Sequence, residues 1–220
     1  AAGLMGRTGR AADPAGGAVV LSGSWPQRDA FERFLCDRGV PVEDGTAPAD
    51  GRGPVAGVIM FDDGAGWGDG DDRDLDARCA SVVEDSVSRF ALVKGLLQAG
   101  RLDRSTGFVL GVTAMGGTAG YGAVPARNPS GGALAGLVKA LSLELAPMLV
   151  KIVDVDPEEP PAVHARLIAD ELEFDPLSTE VCLAGGQRWS IGLGDIPIPR
   201  PDSAPRLPER PVVVVTGGLG

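Results

Sequence analysis

A glycine-rich turn after a run of valines is the part of the sequence whose residue types most clearly suggest binding chemistry. Residues 212–215 are all valine, a composition typical of a buried strand, and Thr216, Gly217, Gly218 and Gly220 follow. Such glycines let the backbone approach the pyrophosphate of a dinucleotide, whose charge the next helix N-terminus stabilises. We therefore predict that these four residues belong to a dinucleotide-binding turn. Because no residues follow Gly220 to form the helix, we expect the motif to be incomplete in this chain.

The first predicted strand–helix turn, by contrast, lacks the residues that a cofactor needs. Residues 18–25 are typical of a strand that enters a turn, and residues 26–40 have the apolar spacing of a helix. The turn between them contains one glycine, Gly23, followed by Ser24, Trp25 and Pro26. Close approach of a pyrophosphate would require further glycines there, and we expect Trp25 to fill that space.

The residues of a reductase active site are also absent from the sequence pattern. Such an enzyme places a tyrosine and a lysine four positions apart on one helix face, so that the lysine lowers the pKa of the phenol. The single tyrosine, Tyr121, is followed four residues later by Pro125, and Ala135 precedes Lys139 by four. Thr113 occurs at a strand end, where it has no partner in the pattern. We predict an exposed Tyr121, a solvated Lys139 and no catalytic residue.

Metal binding and paired-carboxylate chemistry are not expected either. The three cysteines are far apart and are predicted to be buried or half-buried free thiols, and the single histidine, His164, is predicted to lie exposed on a helix. The acidic run at 62–78 departs from the spacing of a calcium-binding loop and is predicted to be a solvated loop. Asp154 and Asp156 are predicted to be solvated at a strand end. We therefore predict no metal site.

Strands and helices alternate along most of the chain, which predicts the fold class. Strands are predicted at 18–22, 54–61, 105–115 and 148–156, helices at 26–40, 79–100, 132–147 and 161–174, and a hairpin at 179–193. Strands joined by helices of this length require right-handed crossovers. The pattern therefore predicts an α/β fold with a doubly wound, mostly parallel sheet and a C-terminal hairpin.

Composition divides the chain into four parts. Residues 1–16 are rich in Gly, Ala and Arg and are predicted to be a linker, and residues 17–193 are predicted to form one compact domain. Residues 194–211 contain six prolines and are predicted to be an extended, proline-rich linker. Residues 212–220 are the predicted strand and glycine turn, which we expect to begin a further unit.

The charge of the chain excludes several classes of partner. A formal net charge of −10 repels both phosphate backbones and anionic lipid headgroups, so we predict no nucleic acid and no membrane as a partner. No apolar run reaches the roughly 20 residues of a transmembrane helix, and the N-terminal residues lack the apolar core of a signal peptide. We therefore predict a cytoplasmic protein.

Three segments occur in an order that is specific when taken together. They are NPSGGALAGLVKALSLELAPMLVKIVDVDP at 128–157, STEVCLAGGQRWSIGLGDIPIP at 178–199 and VVVVTGGLG at 212–220. Their order and spacing resemble the ketoreductase region of modular or iterative polyketide synthases, over about residues 17–220. In that family a truncated, degenerate Rossmann-like subdomain of the short-chain dehydrogenase/reductase type precedes the catalytic subdomain.

The resemblance implies that residues 17–193 are a noncatalytic structural subdomain of a multienzyme of antibiotic biosynthesis. This subdomain would brace the NADPH-dependent ketoreductase and bind no cofactor itself. Thr216, Gly217, Gly218 and Gly220 would begin the NADPH site of the adjoining catalytic subdomain, and the chain would be a piece of the synthase cut at that boundary. Its expected partners are that catalytic subdomain, other domains of the synthase and a second copy of the chain.

Two alternatives remain open at the level of sequence. The chain could be part of an active β-ketoacyl reductase that is completed by residues beyond Gly220. It could also be a docking or dimerisation module between synthase domains, because truncated Rossmann units can pair through exposed sheet edges.

Overall fold

Strands and helices alternate in the computed structural model, which describes residues 17–46, 53–62, 75–122, 126, 128, 130–174, 178–192, 194, 210–212 and 214–216. The strands are β1 (Ala18–Ser22), β2 (Val42–Asp44), β3 (Val55–Phe61), β4 (Phe108–Thr113), β5 (Leu149–Val155), β6 (Glu180–Ala184) and β7 (Gln187–Ser190). The helices are α1 (Pro26–Cys36), α2 (Leu75–Gln98), α3 (Gly131–Glu144) and α4 (Pro161–Phe174).

The described strands form one sheet in the order β2-β1-β3-β4-β5-β6-β7. Neighbouring strands are parallel from β2 through β6, and β7 is antiparallel to β6. The carboxyl ends of β1, β3, β4 and β5 therefore meet at one edge of the sheet, where doubly wound folds bind their ligands. This architecture confirms the predicted α/β fold, a truncated Rossmann-like doubly wound sheet with a C-terminal hairpin.

Each central strand is buried on both faces, as parallel sheets covered by helices require. Successive residues of a strand enter different cores: Ile59 of β3 packs on the side of α1 and α4, whereas Val58 packs on the side of α2 and α3. The valine- and isoleucine-rich strands supply most of this interior, and a fully buried side chain of this size contributes about 1.5–3 kcal/mol. Two apolar layers thus fix the sheet between two pairs of helices.

The C-terminal hairpin is attached to α4 through a buried ion-pair network. Lys151 on β5 is fully buried, and its Nζ donates to Glu171 Oε2 at 2.8 Å. Arg188 on β7 donates from Nε to Glu171 Oε1 at 2.5 Å. Burial raises the pKa of Glu171, but hydrogen bonds from Arg188 and Lys151 outweigh it, so that the pKa is lowered overall. One ionised carboxylate therefore connects β5, α4 and the hairpin.

Several element boundaries differ from those predicted. The short edge strand β2 was not predicted, because its three residues are half-exposed or exposed and carry two carboxylates. Helix α2 begins at Leu75, four residues before the predicted start, with Asp76 in its first turn, where a negative charge is favourable. The hairpin was predicted, and Gly185 and Gly186 form its turn with φ angles of 59° and 68°.

Some predicted exposures are wrong. His164 is fully buried on α4, and Asp154 is 1% exposed. Cys182 is buried as predicted, whereas Cys36 and Cys79 are exposed. All three cysteines are free thiols.

The predicted strand over residues 212–215 is not observed in the described part of that segment. Val212, Val214 and Val215 belong to no strand, and they are 93%, 84% and 71% exposed. The predicted linker at residues 1–16 lies outside the described residues, as does most of the proline-rich linker at 194–211. Within the described ranges, no helix combines the length and the apolar character that crossing a bilayer requires.

Candidate functional site

A cleft of about 1040 Å³ opens beside the first strand–helix turn, at the carboxyl edge of the sheet. It is the location at which doubly wound folds hold the pyrophosphate and ribose of a dinucleotide. Three arginines (Arg28, Arg33 and Arg89) and three aspartates (Asp29, Asp44 and Asp85) contribute to its lining. The hydroxyl side chains that line it are those of Ser22, Ser24, Thr46 and Ser88. The balance of opposite charges means that the lining itself does not select an anion.

The turn between β1 and α1 uses its single glycine for packing. Gly23 has a φ of 97°, and a Cβ at this position would lie 2.2 Å from the carbonyl oxygen of Phe61 at the end of β3. Trp25 is the N-cap of α1, is 9% exposed and packs into the core with α1 and α4. Pro26, the first residue of α1, has no N–H to offer an anion. The turn therefore lacks one of the backbone donors that a pyrophosphate site uses.

Asp44, at the end of β2, is a candidate ribose-binding position that the sequence pattern missed. It lies 21 residues after Gly23, close to the roughly 20 residues at which dinucleotide folds place the carboxylate that binds a ribose hydroxyl. With β2 unrecognised, this spacing was the one signal that could have identified it. Hydrogen bonds from the Thr46 backbone and hydroxyl lower the pKa of Asp44, aided by the charge of Arg28, so it is a carboxylate near neutral pH.

Both oxygens of this carboxylate already have partners from the protein. Asp44 Oδ1 accepts from the backbone N and from Oγ1 of Thr46, each at 2.8 Å. Arg28 donates from Nη2 to Asp44 Oδ2 at 3.3 Å and from Nη1 to Glu32 Oε2 at 2.8 Å. A ribose that approached Asp44 would therefore compete with Arg28 and Thr46 for the oxygens of this carboxylate.

A second polar cluster lies at the ends of β4 and β5, where a reductase of this fold class would carry out its chemistry. Asp154 Oδ1 accepts from Thr113 Oγ1 at 2.8 Å and from the backbone N of Met115 at 2.7 Å. Asp154 Oδ2 accepts from the backbone N of Ala119 at 2.8 Å, and Ala119 has a φ of 49°, which an alanine adopts at a cost. The carboxylate therefore orders the loop that follows β4.

Burial raises the pKa of Asp154. Hydrogen bonds from Ala119, Thr113 and Met115 oppose that effect only in part, so the pKa is raised overall. The prediction of a solvated Asp154 is wrong because the loop after β4 folds over the carboxylate and donates to it. Thr113, predicted to lack a partner, is instead a donor within this network. Neither side chain is left with a hydrogen-bonding group directed toward a substrate.

Asp62 at the end of β3 is the neighbouring carboxylate on the same edge. Asn128 donates from Nδ2 to Asp62 Oδ2 at 2.6 Å, and Asn128 Oδ1 accepts from the backbone N of Ser130 at 3.2 Å. A Cβ at Gly131, the first residue of α3, would lie 3.2 Å from Asp62 Oδ2 and 3.1 Å from Thr113 Cβ. The start of α3 thus packs directly between the ends of β3 and β4.

The remaining candidate residues do not join this edge. Tyr121 is 75% exposed, as predicted. Lys139 is half-exposed, and its Nζ forms an ion pair with Glu180 Oε2 at 2.6 Å. Glu180 begins β6 in register with Ile152 of β5, and its carboxylate binds the Lys139 ammonium there. No tyrosine–lysine pair is therefore formed within the described residues.

His164 occupies a buried position between the β5–α4 turn and the hairpin. Its Nε2 lies 3.4 Å from Glu159 Oε2, and Glu159 Oε1 accepts from the backbone N of Gly186 at 3.3 Å. Burial lowers the pKa of His164 and outweighs the charges of Glu159 and Asp156, which act to raise it. Over the parts of the chain that the structure describes, no three His, Cys, Asp or Glu side chains are grouped as a metal site.

The predicted cofactor residues at the end of the sequence are only partly described. Thr216 is exposed and lies in no strand. Gly217, Gly218 and Gly220 lie outside the described residues, so their assignment to a cofactor turn stays a prediction.

Comparison with known proteins relates this chain to others through its fold. No family model matches the sequence, and no curated protein matches it. A crystal structure of a small-chain dehydrogenase has a TM-score of 0.51 and 14% identity, over 77% of this chain and 97% of its own. An oxidoreductase of the short-chain dehydrogenase/reductase family from Brucella ovis, in complex with a partially ordered NAD, has a TM-score of 0.50 and 14% identity. The match covers 74% of this chain and 98% of the oxidoreductase. Serine dehydrogenase from Escherichia coli has a TM-score of 0.50 and 10% identity, and the match covers 78% of this chain and 100% of the dehydrogenase.

These comparisons concern the fold of the chain and not its activity. At identities of 10–14%, similarity of structure shows a shared fold and does not carry activity from one chain to another. The chain therefore has the Rossmann-like α/β fold of the short-chain dehydrogenases, and its function has to be argued from its own residues.

Proposed function

We propose that this chain is a noncatalytic structural subdomain that braces the NADPH-dependent ketoreductase of a polyketide synthase multienzyme. The proposal combines the Rossmann-like fold with the sequence resemblance of residues 128–157 and 178–199 to the ketoreductase region of such synthases. It accounts for a domain that has the sheet of a dehydrogenase, but whose polar residues at the carboxyl edge form hydrogen bonds and ion pairs with one another.

The observation that carries the proposal is that polar side chains at both ends of the carboxyl edge pair with the protein's own groups. At the cofactor end, Pro26 removes a backbone donor and Arg28 is paired with Asp44. At the catalytic end, Asp154 is hydrogen-bonded to Thr113 and to two backbone amides. A domain selected for chemistry would keep donors and acceptors available to a substrate, whereas a domain selected for shape would satisfy them internally.

Cofactor, partners and location follow from the same proposal. The chain binds no cofactor itself, and NADPH belongs to the adjoining catalytic subdomain, whose binding turn would begin at Thr216, Gly217, Gly218 and Gly220. Its partners are that subdomain and other domains of the synthase. The charge of −10 opposes nucleic acid and anionic membranes as partners. A cytoplasmic location is part of the same proposal.

Reconstitution tests the bracing role directly. The catalytic ketoreductase subdomain of the same synthase would be prepared as a separate polypeptide, and its NADPH-dependent reduction of a β-ketoacyl thioester would be measured with and without this chain. We expect the chain to raise both the activity and the melting temperature of the catalytic subdomain. A short-chain dehydrogenase of matched size serves as the control addition. Unchanged activity and melting temperature would contradict the proposal.

A second candidate function, a cofactor-binding half of a reductase, is favoured by the size of the cleft and by Asp44 at its rim. Calorimetric titration of the chain with NADPH and NADH distinguishes the two. The structural role predicts no saturable binding. Micromolar binding that is lost in Asp44→Asn would favour the second candidate, and the variant Arg28→Ala would reveal whether the ion pair alone blocks the site.

A further inference from the structure

Helix α4 meets the C-terminal hairpin through polar contacts near both of its ends. Glu171, in the last turn of the helix, binds Arg188 of β7. His164, in the first turn, lies seven residues earlier, so the two side chains belong to one stripe of the helix. Glu159 lies beside His164 and accepts from the backbone N of Gly186, in the hairpin turn, at 3.3 Å. The hairpin is therefore held at its turn as well as along β7.

The imidazole of His164 is buried without a hydrogen bond. Its exposed fraction is 0%, and within the described residues neither Nδ1 nor Nε2 has a hydrogen-bond partner. Glu159 Oε2 lies 3.4 Å from Nε2 and is itself buried and unpartnered. Buried polar atoms are nearly always paired, so a group of three unpaired atoms marks a position that has a cost in the folded state.

A proton added to this imidazole would create a buried cation that its surroundings do not support. The imidazolium has an N–H on each nitrogen, and in the described part of the chain Glu159 offers an acceptor near one of them. Desolvation of the charge and the second, unpaired N–H oppose protonation. The lowered pKa of His164 agrees with this reasoning. In water the same imidazole would take up a proton near pH 6.5.

The charged groups around α4 come from the β5–α4 turn, β5, the hairpin and α1. The turn carries Asp156, Glu158 and Glu159, and Asp154 at the end of β5 binds the loop after β4. The charged or titratable side chains on the rest of β5, on the hairpin and on the facing side of α1 are Lys151, Glu180, Cys182, Arg188, Arg33, Asp37 and Arg38. Of these groups, Glu159 and Asp156 act on the imidazole of His164, and both favour its protonated form. Burial is therefore what keeps it neutral.

We propose that His164 is a pH-sensitive latch, which fastens the β5–α4 turn to the hairpin while its imidazole is neutral and releases the hairpin when the imidazole is protonated. Two hydrogen bonds form the junction that opens. Asp156 donates from its backbone N to the carbonyl oxygen of Leu183 at 3.1 Å, and Glu159, in the same turn, accepts from Gly186. Opening of this junction gives the imidazole access to water, where its proton is favoured.

The release is local because the hairpin is also held by contacts that do not involve the imidazole. Ile152 donates from its backbone N to the carbonyl oxygen of Thr179 at 2.8 Å, just before β6 begins. Arg188 remains bound to Glu171. The inference is independent of the proposed function, because it uses none of the residues whose pairing carries that proposal.

Hydrogen exchange of the full chain, followed by NMR at pH 7.5 and pH 5.5, tests the proposal. If only the open junction binds the proton, the protection factor of the Asp156 amide should fall about tenfold between these two pH values. The Ile152 amide should keep its protection factor, because it lies outside the junction. His164→Gln cannot be protonated and should abolish the fall at Asp156. Arg166→Gln is the matched control, since Arg166 is exposed on the same helix, and this variant should retain the fall.

A second measurement uses the native chain alone. His164 is the single histidine of the sequence, so its ring resonances titrate without overlap. We expect their midpoint below pH 6.5, and the amide shift of Gly186 should change with the same midpoint. A protection factor of Asp156 that is independent of pH, that falls equally at Ile152, or that still falls in His164→Gln would overturn the proposal. If that variant does not fold, a Gly186 shift that does not follow the histidine titration overturns it instead.

Discussion

Replacing Asp154 by alanine would leave three donors without the acceptor that they share. Thr113 Oγ1 and the backbone N of Met115 are buried, and the backbone N of Ala119 is partly buried. A buried donor that loses its partner costs about 1–3 kcal/mol, and removal of a carboxylate that burial disfavours returns part of that cost. We therefore expect Asp154→Ala to lower the free energy of unfolding by about 3–5 kcal/mol.

The conservative variant Asp154→Asn should cost less. An asparagine keeps one carbonyl oxygen, which can still accept from Thr113 and Met115, but its amide group would face the N–H of Ala119. We expect a loss of about 1–2 kcal/mol, together with faster hydrogen exchange at the Ala119 amide.

Urea unfolding followed by circular dichroism measures both changes. The matched control is Asp103→Ala, because Asp103 Oδ1 also accepts from backbone amides and hydroxyls, two of each, those of Ser105 and Thr106 in an exposed turn. Water can replace the lost acceptor there, so the change should be much smaller. A loss for Asp154→Ala no larger than that for Asp103→Ala would refute the argument that this network is a buried structural element.

Two further predictions concern buried titratable groups. Since burial lowers the pKa of His164, the unfolded chain binds its proton more tightly, and the free energy of unfolding should fall as pH decreases below about 6.5. His164→Gln should reduce this slope, and an NMR titration that gave the histidine an ordinary or raised pKa would contradict the prediction. Burial, with the charges of Asp154 and Glu180, raises the pKa of Cys182 to about 12. A thiol reagent should therefore modify the exposed Cys36 and Cys79 in the native chain and Cys182 only after unfolding, as mass spectrometry can show.

Much of the fold was predictable because local chemistry and tertiary structure agree in the long elements. The strands β3, β4 and β5 are buried on both faces, so they are mostly apolar, with Thr113, Lys151 and Asp154 as the polar exceptions. Helix α4 was predicted with its observed bounds. Strand β2 could not be predicted, since an edge strand of three half-exposed residues has no apolar pattern. The valines at 212, 214 and 215 show the opposite case, in which a strong strand pattern occurs where the structure has no strand.

Two features of the candidate site can be read from the sequence, and both are missing residue patterns. The single glycine of the first turn and the missing tyrosine–lysine spacing are visible in the sequence. The burial of Asp154 was not, because it depends on a loop that folds back from β4 onto the end of β5. The same holds for His164, whose imidazole lies beside Glu159 of the turn before α4. Long-range contacts of this kind leave no periodic signal in the chain.

The position of the hairpin at the edge of the sheet also determines how the domain would respond to mechanical tension. Strand β1 lies between β2 and β3, so a pulling force that removes it must break two ladders of hydrogen bonds. Strand β7 has one antiparallel neighbour, and force applied after Ser190 would unzip its bonds one pair at a time, opposed mainly by the contact of Arg188 with Glu171. Stretching of a single molecule from its two ends should therefore release the hairpin in a small early step, while the parallel sheet stays intact under the load.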